Sequence, residues 1–419
     1  MERAAPANTR IVEDRSKTTM ATIGWPDLPP ELLGDVLSRL PSYLEHARVR
    51  AVCRSWRSGV RTQPPPPLLP WAGLRSGAFL DLAEGALDRL PVPEADVAHR
   101  VSTGRLLFLV RRDGACSLMD PHSGEETPQH IEPEYLCARL QFNDFLLVHP
   151  RRSGDTTAPR KISRLVADSI LKVVVSDHLV AVLIRGLQMS NNVSIYTRGG
   201  TMRMAWAPPP EFPGRAVDMA LFKGKLYVLA SEVLRRSYEL HTLDMATGES
   251  FQCIRSSTPP TRVDEGHNRV REVRFYLVSS GDRLLMVEHT IDHMTCPQTY
   301  LPSQFQVFEA ADMDLGDGRG RWSEVDTLMG RALFVSEGCS ESLPATASGI
   351  GAREDCIYFI SERQRLGPRA RDDSMMELES GVYNMRDGTT VAPLPPLETA
   401  TTASVDGPWS PTWLFPPMV

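Results

Sequence analysis

The sequence predicts an α+β multidomain chain, with a small all-α module near the N-terminus and a long, mainly-β body behind it. Three observations carry this. Residues 31–40 and 42–60 repeat apolar side chains at helical intervals. From about residue 100 onward the texture changes to short β-rich runs, each bounded by Gly, Asp, Asn or Pro. Between the two parts lies "RTQPPPPLLPW" (61–71), with consecutive prolines at 64–67.

The helical module comes first. In "ELLGDVLSRL" (31–40), Leu32, Leu33, Val36, Leu37 and Leu40 form one apolar stripe. Pro29 and Pro30 suit a helix entrance, where no backbone N–H is needed, and Pro41 stops the helix. Ser42-Tyr43-Leu44-Glu45 has the spacing of a capping box, so a second helix begins at once, carrying Leu44, Ala47 and Ala51. Val52, Trp56 and Val60 repeat every four residues and predict a third helical segment. Three short helices in about forty residues bury little surface, and such a unit is usually completed by a partner. Taken singly, Leu32, Leu33 and Leu44 read as core.

The proline run favours a stiff, extended spacer. The expected division is a tail at 1–23, the helical module at 24–62, a linker at 63–75 and the β body at 76–419.

In the body, "GRLLFLVRRDGACSLMD" (104–120), "DHLVAVLI" (177–184), "GKLYVLAS" (224–231), "GDRLLMVEHT" (281–290) and "DCIYFIS" (355–361) read as strands and hairpins. Met119-Asp120…Ser123-Gly124 matches Leu243-Asp244…Thr247-Gly248, and Asn384-Met385…Asp387-Gly388 is a looser copy. Hairpin units repeating at intervals of several tens of residues predict a β-propeller of about six or seven blades. A large β-sandwich would also alternate strands and turns. At 419 residues, one closed ring fits better.

Composition narrows the function. Apolar residues at 42% and charged residues at 23% are those of a folded globular chain. A net charge of -6 argues against a nucleic-acid binder working by bulk electrostatics. The longest clean apolar run, "LVAVLI" (179–184), is far short of the roughly 18 residues that span a bilayer, so no membrane role is expected. The first twenty residues hold Glu2, Glu13 and Asp14 and no apolar stretch, unlike a secretory leader. Cys53, Cys116, Cys137, Cys253, Cys296, Cys339 and Cys356 are odd in number and scattered, as in a reduced cytoplasmic or nuclear protein.

"LPPELLGDVLSRLPSYLEHARVRAVCRSWRS" resembles an F-box, the module by which substrate receptors dock onto the Skp-type adaptor of cullin-based ubiquitin ligases. The resemblance rests on Leu28-Pro29, Glu31-Leu32-Leu33, Val36-Leu37, Leu40-Pro41, Val52-Cys53 and Trp56. It implies adaptor contact by Leu28, Pro29, Leu33, Val36, Leu37, Leu40, Val52, Cys53 and Trp56. The segment "SYLEHARVR" is more polar than many F-boxes. In the C-terminal third, Gly330-Arg331, Phe334-Val335, Gly338-Cys339-Ser340, Cys356-Ile357-Tyr358-Phe359, Val382-Tyr383 and Trp413-Leu414-Phe415-Pro416 resemble the end of a plant F-box-associated propeller, the domain of unknown function 295 or KIB type.

No catalytic motif is present, and neither cofactor nor metal is expected. His289, His293 and Cys296 have ligand-like spacing but no fourth ligand nearby, so the segment reads as a polar turn. "DMDLGDGRGRWSE" (312–324) fails a calcium loop, with Asp317 and Ser323 where Gly and Glu are required. The basic runs Arg151-Arg152 with Arg160-Lys161, and Arg363, Arg365, Arg369 and Arg371, read as solvated loops. The resemblance implies a non-catalytic substrate receptor: Skp-type adaptor and, through it, cullin on one side, an unknown protein substrate on the other. Substrate choice would fall to loops among 151–161, 255–272, 292–303, 340–353 and 363–379. A propeller-type hydrolase or glycan-binding protein, and an F-box scaffold outside any ligase, are the competing readings.

Overall fold

A computed structural model describes residues 24–40, 42–63, 68–89, 96–129, 131, 170–185, 191–198, 200–209, 212, 214–232, 237–244, 249–256, 270–293, 303–313, 320–345, 351–364, 376–391, 394 and 409–416. The proline run at 64–67, Pro41 and the predicted tail lie outside them.

Three helices form as the sequence predicts: α1 (Pro30–Leu37), α2 (Tyr43–Val52) and α3 (Arg54–Arg61), preceded by one 3-10 turn at Trp25–Asp27. Pro29 and Pro30 open α1. The Ser42 hydroxyl caps α2 by accepting the Glu45 N–H at 3.2 Å. The helices break one residue later than the Val52-Trp56-Val60 repeat implied. Cys53 is fully extended, so Val52 ends α2 while Trp56 and Val60 belong to α3. The Cys53 sulfur takes the capping role there, accepting the Trp56 N–H at 3.4 Å. His46 Nε2 lies 3.1 Å from the carbonyls of both Leu37 and Leu40 and ties α2 to the frayed end of α1. Burial lowers its pKa, which keeps the ring neutral.

The body is a closed ring of six sheets. The first blade holds β1 (Trp71–Gly73), β2 (Phe79–Asp81) and β3 (Leu87–Asp88). The second runs from β4 (Val97–Ser102) through β5 (Leu107–Arg111) and β6 (Cys116–Met119) to β7 (Glu126–Gln129). The third comprises β8 (Ile170–Val175), β9 (Leu179–Arg185), β10 (Asn191–Thr197) and β11 (Met202–Trp206). The fourth comprises β12 (Arg215–Phe222), β13 (Lys225–Glu232), β14 (Ser237–Leu243) and β15 (Ser250–Ser256). The fifth comprises β16 (Val270–Ser280), β17 (Arg283–His293), β18 (Gln304–Ala311) and β19 (Arg321–Glu324). The sixth has five strands: β20 (Arg331–Val335), β21 (Ser340–Pro344), β22 (Cys356–Gln364), β23 (Met376–Asn384) and β24 (Thr389–Val391). Finally β25 (Thr412–Leu414) returns to the first blade and pairs antiparallel with β1.

Six separate apolar clusters each fill one gap between neighbouring blades. This excludes the sandwich, in which two sheets share one core. Blade six departs from the others for a traceable reason. After β19 the chain doubles back, where Arg283 Nη1 donates to the Thr327 carbonyl and the Leu328 N–H to Asp355. It therefore enters the blade from the opposite end. β20 is an extra strand, β21 becomes the innermost one, and β22 lies parallel to β20.

Trp71–Gly73, placed in the linker from the sequence, is a strand of the ring, so the propeller starts earlier than residue 76. The repeated Asp…Gly phrase is the outer hairpin turn. Asp120 takes the Gly124 N–H on its carbonyl and the His122 N–H on its side chain, each at 2.9 Å. Asn384 and Gly388 do the same in blade six. Asp81 and Gly85 in blade one are a further copy that the sequence reading passed over. The closing glycines have positive φ (67°, 74° and 68° at Gly85, Gly124 and Gly388), which side-chain-bearing residues adopt only at a cost.

Trp413, fully buried, locks the closing strand: its indole N–H donates to the Val335 carbonyl at 2.9 Å and its ring meets Phe334 edge-on. Replacing Trp413 by Ala is expected to lower the unfolding free energy by about 3–5 kcal/mol. Urea denaturation checks this, and a loss below about 1 kcal/mol would place the support of the ring elsewhere.

Candidate functional site

The helical cassette has two sides. Leu37, Val49 and Val60 form its own small core, with Leu40 and Trp56 packed at the edge, and Leu33 is 1% exposed. Leu33 and Leu37 are therefore spent inside the cassette. Of the other residues that the F-box resemblance singles out, Pro29, Val36 and Val52 are exposed, while Leu28, Leu40, Cys53 and Trp56 are half-buried. Leu32, read as core from the sequence, is 48% exposed and shares a helical stripe with Val36. Trp25, which the sequence reading missed, is 78% exposed, and its carbonyl accepts the Trp56 indole N–H at 2.6 Å. An apolar surface set thus remains outside a core that is already closed.

The cassette seats on the propeller through the start of α2. The Ser42 hydroxyl that caps α2 also donates to the Glu84 carboxylate. Tyr43 packs edge-on to Trp71 and against His122, with ring centroids 6.5 and 4.7 Å away. Glu84 and His122 belong to the Asp81 and Asp120 turns, so the cassette straddles the outer hairpins of blades one and two. Trp71 is held in turn by its indole N–H on Asp81.

Inside the ring, the inner strands line a channel. Lys172 in β8 pairs with Asp218 in β12 at 2.7 Å, and Asp218 also accepts the N–H groups of Met219 and Leu277. One carboxylate thereby joins blades three, four and five. Removing one partner of so buried a pair costs about 3–5 kcal/mol. Where the inner strands end, a cavity of about 310 Å³ is lined by Lys172, Ser279, Cys339, Glu341 and Ser342. Burial pushes the Glu341 carboxyl up to about 7, against the opposing pull of Arg105 and Lys172. Gly104 lies beside it at φ 96°, a backbone conformation that side-chain-bearing residues adopt only at a cost. Burial also raises the Cys339 thiol, which leaves it an unreactive packing group.

Where the inner strands begin, the channel opens into a larger cavity of about 610 Å³, lined by Arg185, Asn191, Arg215, Glu272, Arg274 and Glu337. Arg274 is held on three sides: it donates to Glu272 at 2.7 Å, pairs with Glu337 at 2.8 Å and reaches the Glu362 carbonyl. This mouth lies opposite the cassette. The Trp71 end of β1 pairs with the Leu414 end of β25, and the Phe415 N–H donates to the carbonyl of Gly104, just past β4. The cassette therefore sits on the face where the inner strands finish.

Several sequence expectations find their place here. Residues 340–344 are the strand β21 rather than a substrate loop. His289 is a fully buried strand residue stacked on Phe305 at 4.2 Å, not part of a polar turn, and Cys296 lies outside the described residues. Among the described residues, no three His, Cys, Asp or Glu side chains are placed to hold a metal. Residues 257–269, 294–302 and 365–375 and the basic run 151–161 lie outside the described residues. No helix among the described residues is long and apolar enough to cross a membrane.

Known families match both parts. A KIB1-4 beta-propeller model matches residues 79–384, and an F-box-like model matches residues 25–62. No curated protein matches the chain. Among solved structures, a putative TolB from Agrobacterium tumefaciens is similar at 10% identity, over 77% of this chain and 88% of that one, with a TM-score of 0.33. Apocarotenoid oxygenase of Synechocystis is similar at 9% identity, over 76% and 74%, with a TM-score of 0.30. The N-terminal domain of Nup159 is similar at 10% identity, over 74% and 68%, with a TM-score of 0.27. The six-blade architecture stands on strand order and not on these likenesses.

The raised Glu341 pKa makes stability depend on pH. Its folded value lies above the ordinary 4.5, so the fold favours the protonated form. That contribution is complete below the ordinary value and is lost as pH rises through about 7. Compared with Glu341→Gln, the parent is expected to lose stability steadily from about pH 5 to about pH 7.5. A difference between the two proteins that stays constant across that range, measured by urea denaturation, would contradict the assignment.

Proposed function

The chain belongs to the KIB1-4 beta-propeller family, with an F-box-like segment ahead of the propeller, and from that premise we propose that it is the substrate-recognition subunit of a Skp-cullin-F-box ubiquitin ligase. In this reading the chain breaks and forms no bonds. It holds an adaptor on the cassette and a protein substrate on the propeller, and raises the effective concentration of substrate lysines near the conjugating enzyme.

The observation that carries the reading is the split of the cassette's apolar residues. Leu33, Leu37, Val49 and Val60 close a core too small to need more. Trp25, Leu32, Val36 and Val52 stay exposed, as an interface awaiting a partner would be. The adaptor contacts are assigned to Leu28, Pro29, Val36, Leu40, Val52, Cys53 and Trp56, with Leu33 and Leu37 acting through the helix position they fix. Leu32 and Trp25 join this set. Aromatic and aliphatic anchors of this kind dominate such interfaces. Among the described residues, Cys53, Cys339 and Cys356 stand outside any disulfide, which suits the reducing cytoplasm or nucleus where such ligases work.

Co-purification with Skp-type adaptors tests the proposal. The intact chain is expected to bind, and Val36→Glu with Val52→Glu to reduce affinity by more than about tenfold while leaving the thermal midpoint unchanged. An intact, folded chain that ignores several adaptors would end the ligase reading.

A further inference from the structure

The end of the channel on the cassette side holds an acid without a partner. Glu341 lies in β21, the innermost strand of blade six, and lines the 310 Å³ cavity. Among the described residues, no group forms a hydrogen bond or ion pair with its carboxylate. Arg105, just past β4, and Lys172 in β8 act on it only through their charge. Lys172 is itself committed, with the two oxygens of Asp218 in β12 at 2.7 and 2.9 Å from its ammonium. The Cys339 thiol, the titratable neighbour on blade six, is held neutral by burial. A carboxylate withdrawn from water and left unpaired is costly, and a donor that enters the cavity removes that cost.

The walls of the cavity define what fits. Val174, Val175 and Leu221, from blades three and four, are half-buried and give one apolar side. Thr103, Ser279 and Ser340, from blades two, five and six, bring hydroxyls to the same cavity as Glu341. An apolar wall beside one carboxylate and a few hydroxyls matches an aliphatic stem with a charged tip. We propose that Glu341 binds the ammonium group of a lysine side chain from a protein segment that enters this end of the channel.

The alternatives fit less well. A metal ion needs several donor side chains, and among the described residues no three His, Cys, Asp or Glu are placed to hold one. An anion would meet the Glu341 charge. A guanidinium lays a two-pronged fork across both oxygens of a carboxylate, but Oε1 of Glu341 already packs against Gly104, 2.1 Å from where a Cβ would stand. The compact ammonium needs only the other oxygen and the hydroxyls. A segment bound to the propeller face that carries the cassette can lower such a side chain into the cavity. The inference rests on the substrate-receptor reading and names the substrate's chemistry, yet the cavity contains none of the residues assigned to the adaptor.

The test uses the full chain and fluorescent, N-acetylated peptide pools whose flanking positions hold only uncharged residues, with Lys, Nε-acetyl-lysine or Arg at the centre. The Lys pool is expected to bind at least about tenfold more tightly than the acetyl-lysine pool, and more tightly than the Arg pool. Glu341→Gln should abolish the preference for Lys. In the parent, affinity for the Lys pool should rise about tenfold from pH 6 to pH 8 as the carboxyl, pushed up to about 7, ionises. The adaptor-surface variant Val36→Glu with Val52→Glu should bind the Lys pool like the parent, so failure of the ligase reading leaves this result standing. Equal binding of the Lys and acetyl-lysine pools, or a preference that survives Glu341→Gln in a folded protein, overturns the site. An Arg pool that binds as tightly as the Lys pool overturns the choice of an ammonium. Displacement of the Lys pool by n-butylamine at equal concentration overturns the assignment to a protein segment.

Discussion

Everything in this molecule depends on three residue pairs: Trp71 with Leu414, Ala72 with Trp413, and Gly73 with Thr412. They join the first strand of the ring to the last. A propeller blade buries its two faces against its neighbours, so each of the six inter-blade cores needs both adjacent blades in place. An open ring would leave two apolar sheet faces and a bare edge in water. Closure by β25 removes all three costs in one step. The same strand also reaches sideways, to the Val335 carbonyl of blade six through Trp413 and to Gly104 of blade two through Phe415. Arg100 reinforces that corner from blade two, stacking on Phe79 and Trp409 and donating to the carbonyls of Leu74 and Gly77.

Closure gives the ring two unlike faces. On one, the Asp-turn hairpins project, and two of them carry Glu84 and His122 to the cassette. Ser42 is the hinge of that seam, since one hydroxyl both caps α2 and holds Glu84. Local helix stability and the placement of the whole module are thus set by the same atom. On the other face the inner strands begin, and their first residues bring charged side chains from several blades to one mouth. The buried Lys172–Asp218 pair fixes the inner strands between these faces. The exposed apolar side of the cassette and the charged mouth are held apart by a body that is itself cross-tied.

Much of this was legible in the sequence because it is local. Helix caps, the proline entrance to α1 and the Asp120 and Asn384 turns are short-range chemistry, and they fold as written. The errors fall where the answer is decided at a distance. Periodicity marked both Leu32 and Leu33 as apolar, but a helix that packs on one side and presents the other has two apolar faces, and only the position of Val60 and Val49 shows which is inside. Val52, Trp56 and Val60 kept a perfect spacing across a break, because Cys53 is able to cap through sulfur. Trp71–Gly73 follows a proline run and has no partner within 300 residues except the short β2, so nothing near it announces a strand. Arg185 and Arg215 belong to no motif. They line one mouth only because successive blades place the end of one strand beside the start of another.

The most direct test is a structure of the chain bound to a Skp-type adaptor, by electron cryomicroscopy or crystallography. The account predicts the adaptor on Trp25, Leu32, Val36 and Val52, the Ser42–Glu84 and Tyr43–His122 contacts retained, and the mouth lined by Arg185 and Arg215 open on the far side. An adaptor seated over that mouth, or a cassette detached from blades one and two in the complex, would contradict it.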